Sequence, residues 1–185
     1  MGLTLLYSCS SLSNIQHRRL LFCAFMYPHF LYGIELYMLN MRQRKIAESL
    51  YRKCLRAVLR ISRCAPNYQE AQLYEKLRVL PLRLLFQLRA SVILYDIIIL
   101  DRLPSFRDFF QPVSSLRLAG NLPPLRSELA RQSIRYWGPK LWNAIPTALR
   151  SLLLRNQFMT TYRTYLISKI NLAVLERDYN IYNFL

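Results

Sequence analysis

Acidic side chains are the first candidates for catalytic chemistry in this sequence. The chain has ten Asp and Glu residues among 185, and no aspartate stands next to another. Two-metal phosphoryl transfer needs carboxylates close enough to hold two divalent ions about 4 Å apart. The pairs Asp96 with Asp101 and Glu176 with Asp178 are more typical of helix surfaces and caps than of an acid and base couple. The sequence therefore predicts no catalytic residue.

Metal, cofactor and nucleophile sites have little support either. Four cysteines, at positions 9, 23, 54 and 64, form no C-x-x-C pair, and only His17 and His29 could complete a zinc shell. The chain has four glycines and carries no P-loop, dinucleotide fingerprint or nucleophile elbow. We therefore expect buried, reduced thiols, no metal, no cofactor and no small-molecule substrate.

Cations in residues 42–63 form the most informative pattern. This segment holds eight basic residues and one acid, Glu48, so few neighbours can neutralise the charge by pairing along a helix. On a helix, five of the cations fall in one narrow stripe, and the apolar residues Ile46, Leu50, Cys54, Ala57, Val58 and Ile61 gather on the opposite side. The predicted nucleic-acid-binding residues are Arg42, Lys45, Arg52, Lys53, Arg56, Arg60 and Arg63. An ordinary solvated helix face is the alternative interpretation.

A second unusual stretch reads SIRYWGPKLWNAIPTALR, from position 133 to position 150. We predict that Trp137 and Trp142 are large apolar anchors and that Asn143 makes a local hydrogen bond. The Gly138-Pro139 pair is expected to turn the chain into a short helix that begins near Lys140. Stacking of Trp137 or the preceding tyrosine on an unpaired base is the functional alternative, because basic residues lie nearby.

The elements that position these residues are predicted to be helical, because few segments alternate apolar and polar residues. Asn14 is expected to cap a helix that runs to about Met26, and a second stretch follows from Pro28 to about Asn40. A short helix is predicted within 69–80 and a core helix after Pro81. The final helix places Phe158, Tyr162, Tyr165 and Leu166 on one side.

The predicted fold is all-α, an irregular helical bundle with a proline-rich loop and a small C-terminal helical subdomain. Residues 1–102 form the larger helical unit, and residues 130–185 form the subdomain that carries the tryptophan motif. Between them, residues 103–129 are predicted to be a loop or linker, because four prolines and a glycine interrupt any helical period.

The charge balance predicts a polyanionic partner. The chain has 26 Lys and Arg, a formal net charge of +16 and a hydrophobic content of 53%, so it combines a core with a strongly basic surface. An anionic membrane is the other candidate, and Leu20–Met41 is long enough to span one. Pro28, His29, Glu35 and Asn40 interrupt that segment, so buried helices bent near Pro28 are predicted instead. The first residues, MGLTLLYSCSS, lack a basic n-region, so we expect an intracellular protein, nuclear or cytoplasmic and not secreted.

Five segments in this order resemble a known family. They are MYPHFLYGIELYMLN (26–40), LYRKCLRAVLRI (50–61), LYEKLRVLPL (73–82), QSIRYWGPKLWNAIPTALR (132–150) and QFMTTYRTYLI (157–167). Together they resemble the C-terminal region of reverse transcriptases from non-LTR (LINE-type) retrotransposons, over roughly residues 14–169. The family has a tyrosine-glycine pair and later a tryptophan-asparagine pair after its polymerase palm. The matching positions here are Tyr32, Gly33, Trp142 and Asn143, with Ile145 and Pro146 following.

The resemblance implies a parent activity of RNA-templated DNA synthesis. The family's catalytic aspartates belong to a palm motif that ends in paired aspartates, and this chain lacks that motif, the fingers, the endonuclease and the zinc knuckle. The resemblance therefore implies thumb helices and the region beyond, with residues 42–63 near the template-primer duplex. We expect a non-catalytic C-terminal fragment that binds an RNA or DNA duplex or hybrid without sequence preference. No family role carries over to residues 171–185.

Two other functional classes stay open at this point. One is a membrane-associated helical protein that uses Leu20–Met41 and the apolar segment Leu82–Leu100. The other is a degenerate relic with no selected role, whose apolar helices have lost the palm against which they packed. No sequence feature bears on the oligomeric state.

Overall fold

Helices make up most of the chain that the structure describes. The structure is a computed structural model, and it describes residues 14–37, 40–62, 69–107, 110–114, 117–120 and 133–170. The helices are α1 Ile15–Leu21, α2 Tyr27–Leu31, α3 Ile34–Tyr37, α4 Met41–Leu59, α5 Ala71–Leu77, α6 Leu82–Ile98, α7 Pro104–Arg107, α8 Ile134–Ala144, α9 Thr147–Arg150 and α10 Arg155–Ser168. The predicted all-α class is confirmed.

A short antiparallel hairpin lies inside the segment predicted to be a loop. It pairs β1 Phe110–Ser114 with β2 Arg117–Gly120, with Phe110 opposite Gly120 and an irregular register between Pro112 and Ser114. A proline has no N–H to donate to a ladder, so it is found at edges and bulges of sheets. The predicted linker 103–129 thus contains α7 and this hairpin among its described residues.

The first helical stretch begins where the sequence predicts. The Asn14 side chain accepts a hydrogen bond of 2.8 Å from the Gln16 amide, which caps α1 and confirms the predicted N-cap. A π-helical turn, Phe22–Met26, then joins α1 to α2. Pro28 cannot donate a backbone hydrogen bond, and a wider turn just before a proline accommodates the carbonyl that loses its partner. A π-turn thus lies just before Pro28, where the sequence predicts a bend.

The second predicted stretch is divided by a glycine. α2 ends at Leu31 and is capped by Tyr32. Gly33 follows with φ of +64°, a left-handed conformation that glycine adopts without steric cost. The helix α3 then starts at Ile34, which is fully buried. The predicted single stretch from Pro28 to Asn40 is thus two short helices with a turn between them.

The described residues fall into two compact units. Unit 1 extends to Leu85 and includes Ile170, and unit 2 extends from Phe86 to Lys169. The division falls within α6 rather than at residue 102, so the segment predicted as a linker belongs to unit 2. The buried residues of α6 lie on all sides of the helix, as expected for the predicted core helix.

Unit 1 is built around Tyr51 of α4. Its ring contacts those of Phe22, Phe30 and Tyr74, with centroid distances of 5.9, 5.0 and 6.4 Å. Its hydroxyl donates a hydrogen bond of 3.1 Å to the carbonyl of Leu80. A buried tyrosine normally finds such a partner for its polar end, and here it ties α4 to the segment that follows α5.

Unit 2 has an aromatic core that α10 completes. Phe158 stacks on Tyr95 with a centroid distance of 4.6 Å and on Tyr162 at 5.6 Å, and Trp142 lies 6.3 Å away. Phe158, Tyr162 and Leu166 are buried and Tyr165 is half-buried, so the predicted inner side of the final helix is confirmed. Burial raises the pKa of Tyr162 to about 12.

The Gly138-Pro139 pair does not start a helix. The prediction that a helix begins near Lys140 is wrong, because α8 runs from Ile134 to Ala144 with both residues inside it. A Cβ on Gly138 would lie 2.9 Å from Cε1 of Phe110 and 3.2 Å from Cδ2 of Leu94. The glycine is therefore explained by the close approach of β1 and α6 to α8 and not by a turn.

The helix α5 ends on a strained residue, which gives a stability prediction. Arg78 has φ of +52°, and the amides of Arg78 and Val79 close the helix on the carbonyls of Glu75 and Tyr74. Glycine adopts this conformation without the Cβ penalty, so Arg78→Gly should raise the free energy of unfolding by about 0.5–1 kcal/mol. Urea denaturation followed by circular dichroism measures this change.

A matched substitution inside the same helix should have the opposite sign. Glu75 is exposed and lies within α5, where glycine costs about 0.5–1 kcal/mol. If Arg78→Gly and Glu75→Gly destabilise the protein equally, the left-handed cap at Arg78 is not a source of strain.

Candidate nucleic-acid interface

The helix α4, which carries the predicted basic stripe, is capped at both ends. Asn40 accepts hydrogen bonds from the amides of Arg42 (3.0 Å) and Gln43 (3.1 Å), so the predicted end of the preceding stretch is the start of α4. At the other end, Nε of Arg18 donates a hydrogen bond of 2.7 Å to the carbonyl of Val58. A cation at a helix C-terminus also interacts favourably with the helix dipole.

The helix ends earlier than predicted. Arg60 has φ of +55°, and the amides of Arg60 and Ile61 bond to the carbonyls of Ala57 and Arg56. The predicted helix over 42–63 therefore stops at Leu59, and Arg60 lies one residue beyond it. Arg63 lies outside the described residues.

The buried side of α4 differs from the predicted apolar side. The buried residues are Arg44, Tyr51, Cys54, Leu55 and Val58. Ile46 is 54% exposed and Leu50 is 37% exposed, so the prediction that both lie in the core is wrong. At 100° per residue the buried side is rotated by roughly 90° from the predicted one. The cause is the aromatic cluster around Tyr51, which takes that residue into the core together with its helical neighbours.

Four predicted cations lie on the outer part of α4, and none of them has an acidic partner among the described residues. We call Arg42, Lys45, Lys53 and Arg56 the basic face. The first three are exposed and Arg56 is half-buried. Within the described residues, no carboxylate oxygen lies within 4.0 Å of any of their charged nitrogens. Their charges are therefore available to an external anion.

Arg52 is placed differently from its neighbours. Its guanidinium lies 3.6 Å from the carboxylate of Glu70, and the side chains of the two residues are 22% and 8% exposed. The prediction of an unneutralised stripe is wrong at this residue, because the chain returns through α5 and brings an acid to it. No local sequence signal could reveal this pair, because Arg52 lies in α4 and Glu70 lies 18 residues later, just before α5.

The basic face has dimensions suited to a nucleic-acid backbone. From Arg42 to Arg56 the helix rises by about 21 Å at about 1.5 Å per residue. Phosphates follow one another every 3.4 Å or so along each strand of a duplex, so several lie within that reach. The four cations can each approach a phosphate oxygen without breaking an ion pair to any residue in the described part of the chain.

The tryptophan motif belongs to the core of unit 2. Trp137 and Trp142 are 4% and 1% exposed, as apolar anchors would be, and Trp137 contacts the ring of Phe86 at 5.8 Å. This burial leaves neither indole able to stack on an external base. Asn143 is exposed and Pro146 is half-buried at the junction of α8 and α9.

Asp96, in α6, is engaged in ion pairs. Asp96 accepts hydrogen bonds from Nε of Arg155 at 2.9 and 3.2 Å, and its carboxylate lies 3.8 Å from the guanidinium of Arg102. Asp101, its predicted companion, follows α6 with φ of +50°. Over the ranges that the structure describes, no three His, Cys, Asp or Glu side chains are grouped so that they could hold a metal ion.

Comparison of the chain with protein-family models, curated proteins and solved structures gives a single result. Nothing matches. Among the described helices, none has the length and apolar character needed to cross a membrane. The interpretation of the basic face therefore depends on its own geometry and on the sequence motifs.

The thiol of Cys54 gives a prediction about reactivity on the buried side of α4. Burial raises its pKa to about 11, because the thiolate would be desolvated there. We expect iodoacetamide at pH 8 to leave Cys54 unmodified in the folded protein and to modify it in urea. Peptide mass spectrometry measures the modified fraction of Cys54 in the folded protein and in urea. Rapid modification in the folded state would contradict the described packing of α4.

The same shift has a consequence for stability. The pKa is raised above its ordinary value of 9.0, so the folded state favours the neutral thiol. The stability contributed by the neutral thiol is complete below about pH 9 and is lost as the pH rises toward 11.

Proposed function

We propose that this chain is a non-catalytic, nucleic-acid-binding C-terminal fragment of a non-LTR retrotransposon reverse transcriptase, acting inside the cell. Its ligand is an RNA or DNA duplex or hybrid, bound without sequence preference. The order of the five sequence motifs supports the ancestry. The absence from the sequence of the family's paired palm aspartates supports binding without polymerisation.

The basic face is the observation that carries the binding proposal. Its four cations are accessible and lack carboxylate partners among the described residues, in a chain with a net charge of +16. Contacts of this kind are made to phosphates and carry no base information, because the bases are read in the grooves by other side chains. Sequence-tolerant binding follows from that chemistry.

The salt dependence of binding tests this proposal. Each phosphate contact on B-form DNA contributes about 0.9 to the slope of log affinity against log salt, so four contacts contribute about 3.6. Fluorescence anisotropy of labelled duplex DNA and of an RNA–DNA hybrid, between about 50 and 200 mM salt, measures the slope. Two duplexes of scrambled sequence serve as controls and should bind equally. A slope near zero, or strong preference for one sequence, would contradict the proposal.

A further inference from the structure

Three aromatic side chains are exposed on one face of the first helical stretch of unit 1. Tyr32 is 87% exposed and Phe25 is 61% exposed, and His29 between them is also exposed. Arg18 and Phe22, earlier in the same stretch, are buried. We call Phe25, His29 and Tyr32 the aromatic ridge.

The spacing of the ridge places its members close together. The residues stand at i, i+4 and i+7, the spacing of one helix face. Phe25 lies in the π-turn, His29 lies in α2, and Tyr32 is the residue that caps α2. Gly33, with its positive φ, turns the chain directly after Tyr32 and ends the helix there. The ridge thus ends where the chain turns.

The ridge rings differ from the other aromatic rings of unit 1. Phe22, Phe30 and Tyr51 contact one another or a further ring, whereas Phe25 and Tyr32 contact no aromatic ring among the described residues. Single exposed apolar residues are ordinary on protein surfaces. Aromatic residues in a row on one helix face form a contiguous patch, and such patches mark interaction sites.

The charge around the ridge favours an anionic ligand. Residues 15–31 contain no Asp or Glu, and they carry the half-buried Arg19 and two exposed histidines, whereas Arg18 is buried against the carbonyl of Val58. No carboxylate of this stretch therefore repels a phosphate, and the nearest acid along the chain is the half-buried Glu35. Unit 1 also carries the basic face on α4. A ligand that combines flat apolar rings with negative charge fits this composition.

We propose that the aromatic ridge is a stacking platform for the unpaired bases of single-stranded RNA or DNA. Every base has a π-face, so stacking on aromatic side chains tolerates any sequence. In a duplex these faces are occupied by neighbouring bases, and the ridge therefore adds affinity for single strands or single-stranded overhangs only. This inference rests on the proposed nucleic-acid binding and adds a preferred form of the ligand.

A double substitution tests the ridge. Alanine substitution of a stacking aromatic costs about 1–3 kcal/mol, so Phe25→Ala with Tyr32→Ala should weaken binding of a mixed-sequence DNA single strand at least about 25-fold. The same strand annealed to its complement should bind within about twofold of wild type, because no phosphate contact is lost. Tyr32→Phe keeps the ring and should retain affinity. Leu153→Ala, at a residue of unit 2 that is 79% exposed, is the control for loss of exposed apolar surface.

A second readout covers the case in which the alanine variant fails to fold. The single substitution Tyr32→Trp keeps an aromatic ring on the ridge, and its exposed indole should be quenched by the single strand and not by the duplex. Single-strand affinity that is unchanged in the alanine variant, equal loss for both ligands, or absence of quenching would each overturn the ridge proposal. A salt slope near zero for both ligands in the wild-type protein would instead overturn the proposal that the basic face binds nucleic acid.

Discussion

Replacing Trp142 by alanine is expected to lower the free energy of unfolding by about 3–5 kcal/mol, the largest stability effect among the substitutions considered. The indole is 1% exposed, and the ring of Phe158 lies 6.3 Å from it. Removing the ring leaves a cavity in a core that relaxes only partly, so lost transfer free energy and lost contacts add together. Urea denaturation followed by tyrosine fluorescence and circular dichroism measures the effect.

The control for Trp142 is an exposed leucine of the same unit. Leu153→Ala should change the free energy of unfolding by less than about 0.5 kcal/mol. A change below about 1 kcal/mol for Trp142→Ala would contradict the described core of unit 2. The unfolding transition of the wild-type protein is a second test. A degenerate relic is not expected to unfold cooperatively or to lose stability when one core residue is replaced.

Neutralising the basic face should have the largest effect on binding. The variant Arg42→Gln, Lys45→Gln, Lys53→Gln and Arg56→Gln should lower the salt slope by about 3.6. In the wild-type protein these four contacts account for about a 150-fold loss of affinity between 50 and 200 mM salt, and the variant should lack that loss. Glutamine is a good helix former, so α4 should remain folded. Anisotropy titrations at several salt concentrations give the slope, and circular dichroism checks the helix.

Two controls make this result specific to the basic face. Arg163→Gln with Lys169→Gln removes two exposed cations from α10 and its end, and it should leave the slope within about 0.5 of wild type. Arg52→Gln removes a cation that is paired with Glu70, so its effect on the slope should be smaller than about 0.9. Equal slopes for the fourfold variant and wild type would remove the basic face from the account.

Local signals in the sequence predict the helices well. Asn14 acts as a cap, Pro81 precedes the core helix α6, and Phe158 with Tyr162 and Leu166 form the inner side of α10. These features depend on capping chemistry and on periodicity within a single element, which the sequence contains directly. Asn40 carried the same capping signal, although the sequence interpretation placed it at the end of a helix.

Contacts between distant segments explain where the sequence interpretation went wrong. The orientation of α4 is decided by Tyr51, whose hydroxyl bonds to a carbonyl 29 residues away. Two different sides of α4 carry apolar residues. One includes Ile46 and Leu50, and the other includes Tyr51 and Leu55, so periodicity alone does not decide which side is buried. Which side is buried depends on the partner surface, and that surface is not encoded in α4 itself.

The tryptophan motif shows the same limit in unit 2. Glycine next to proline usually marks a turn, yet here Phe110 and Leu94 approach Gly138 too closely for a side chain. The requirement for glycine comes from packing across elements that are far apart in sequence. The burial of Trp137 and Trp142 was predictable, because large aromatic residues bury the most apolar surface.

The basic face and the aromatic ridge have different roles in the proposed function. In this proposal the basic face binds phosphates of any nucleic-acid backbone, and the ridge adds a preference for unpaired bases. A chain with both would bind best where a duplex adjoins a single strand. The substitutions above separate the two contributions, because one set changes the salt slope and the other changes the preference between ligand forms.

Lysine footprinting shows directly whether the basic face contacts nucleic acid. Lys45 and Lys53 belong to the basic face, whereas Lys76 and Lys169 are exposed elsewhere in the described chain. Amine acetylation with and without a saturating RNA–DNA hybrid, read by peptide mass spectrometry, compares the four ammonium groups in one sample. The account predicts strong protection of Lys45 and Lys53 and none of Lys76 and Lys169. Equal modification of Lys45 and Lys53 with and without the hybrid would contradict it.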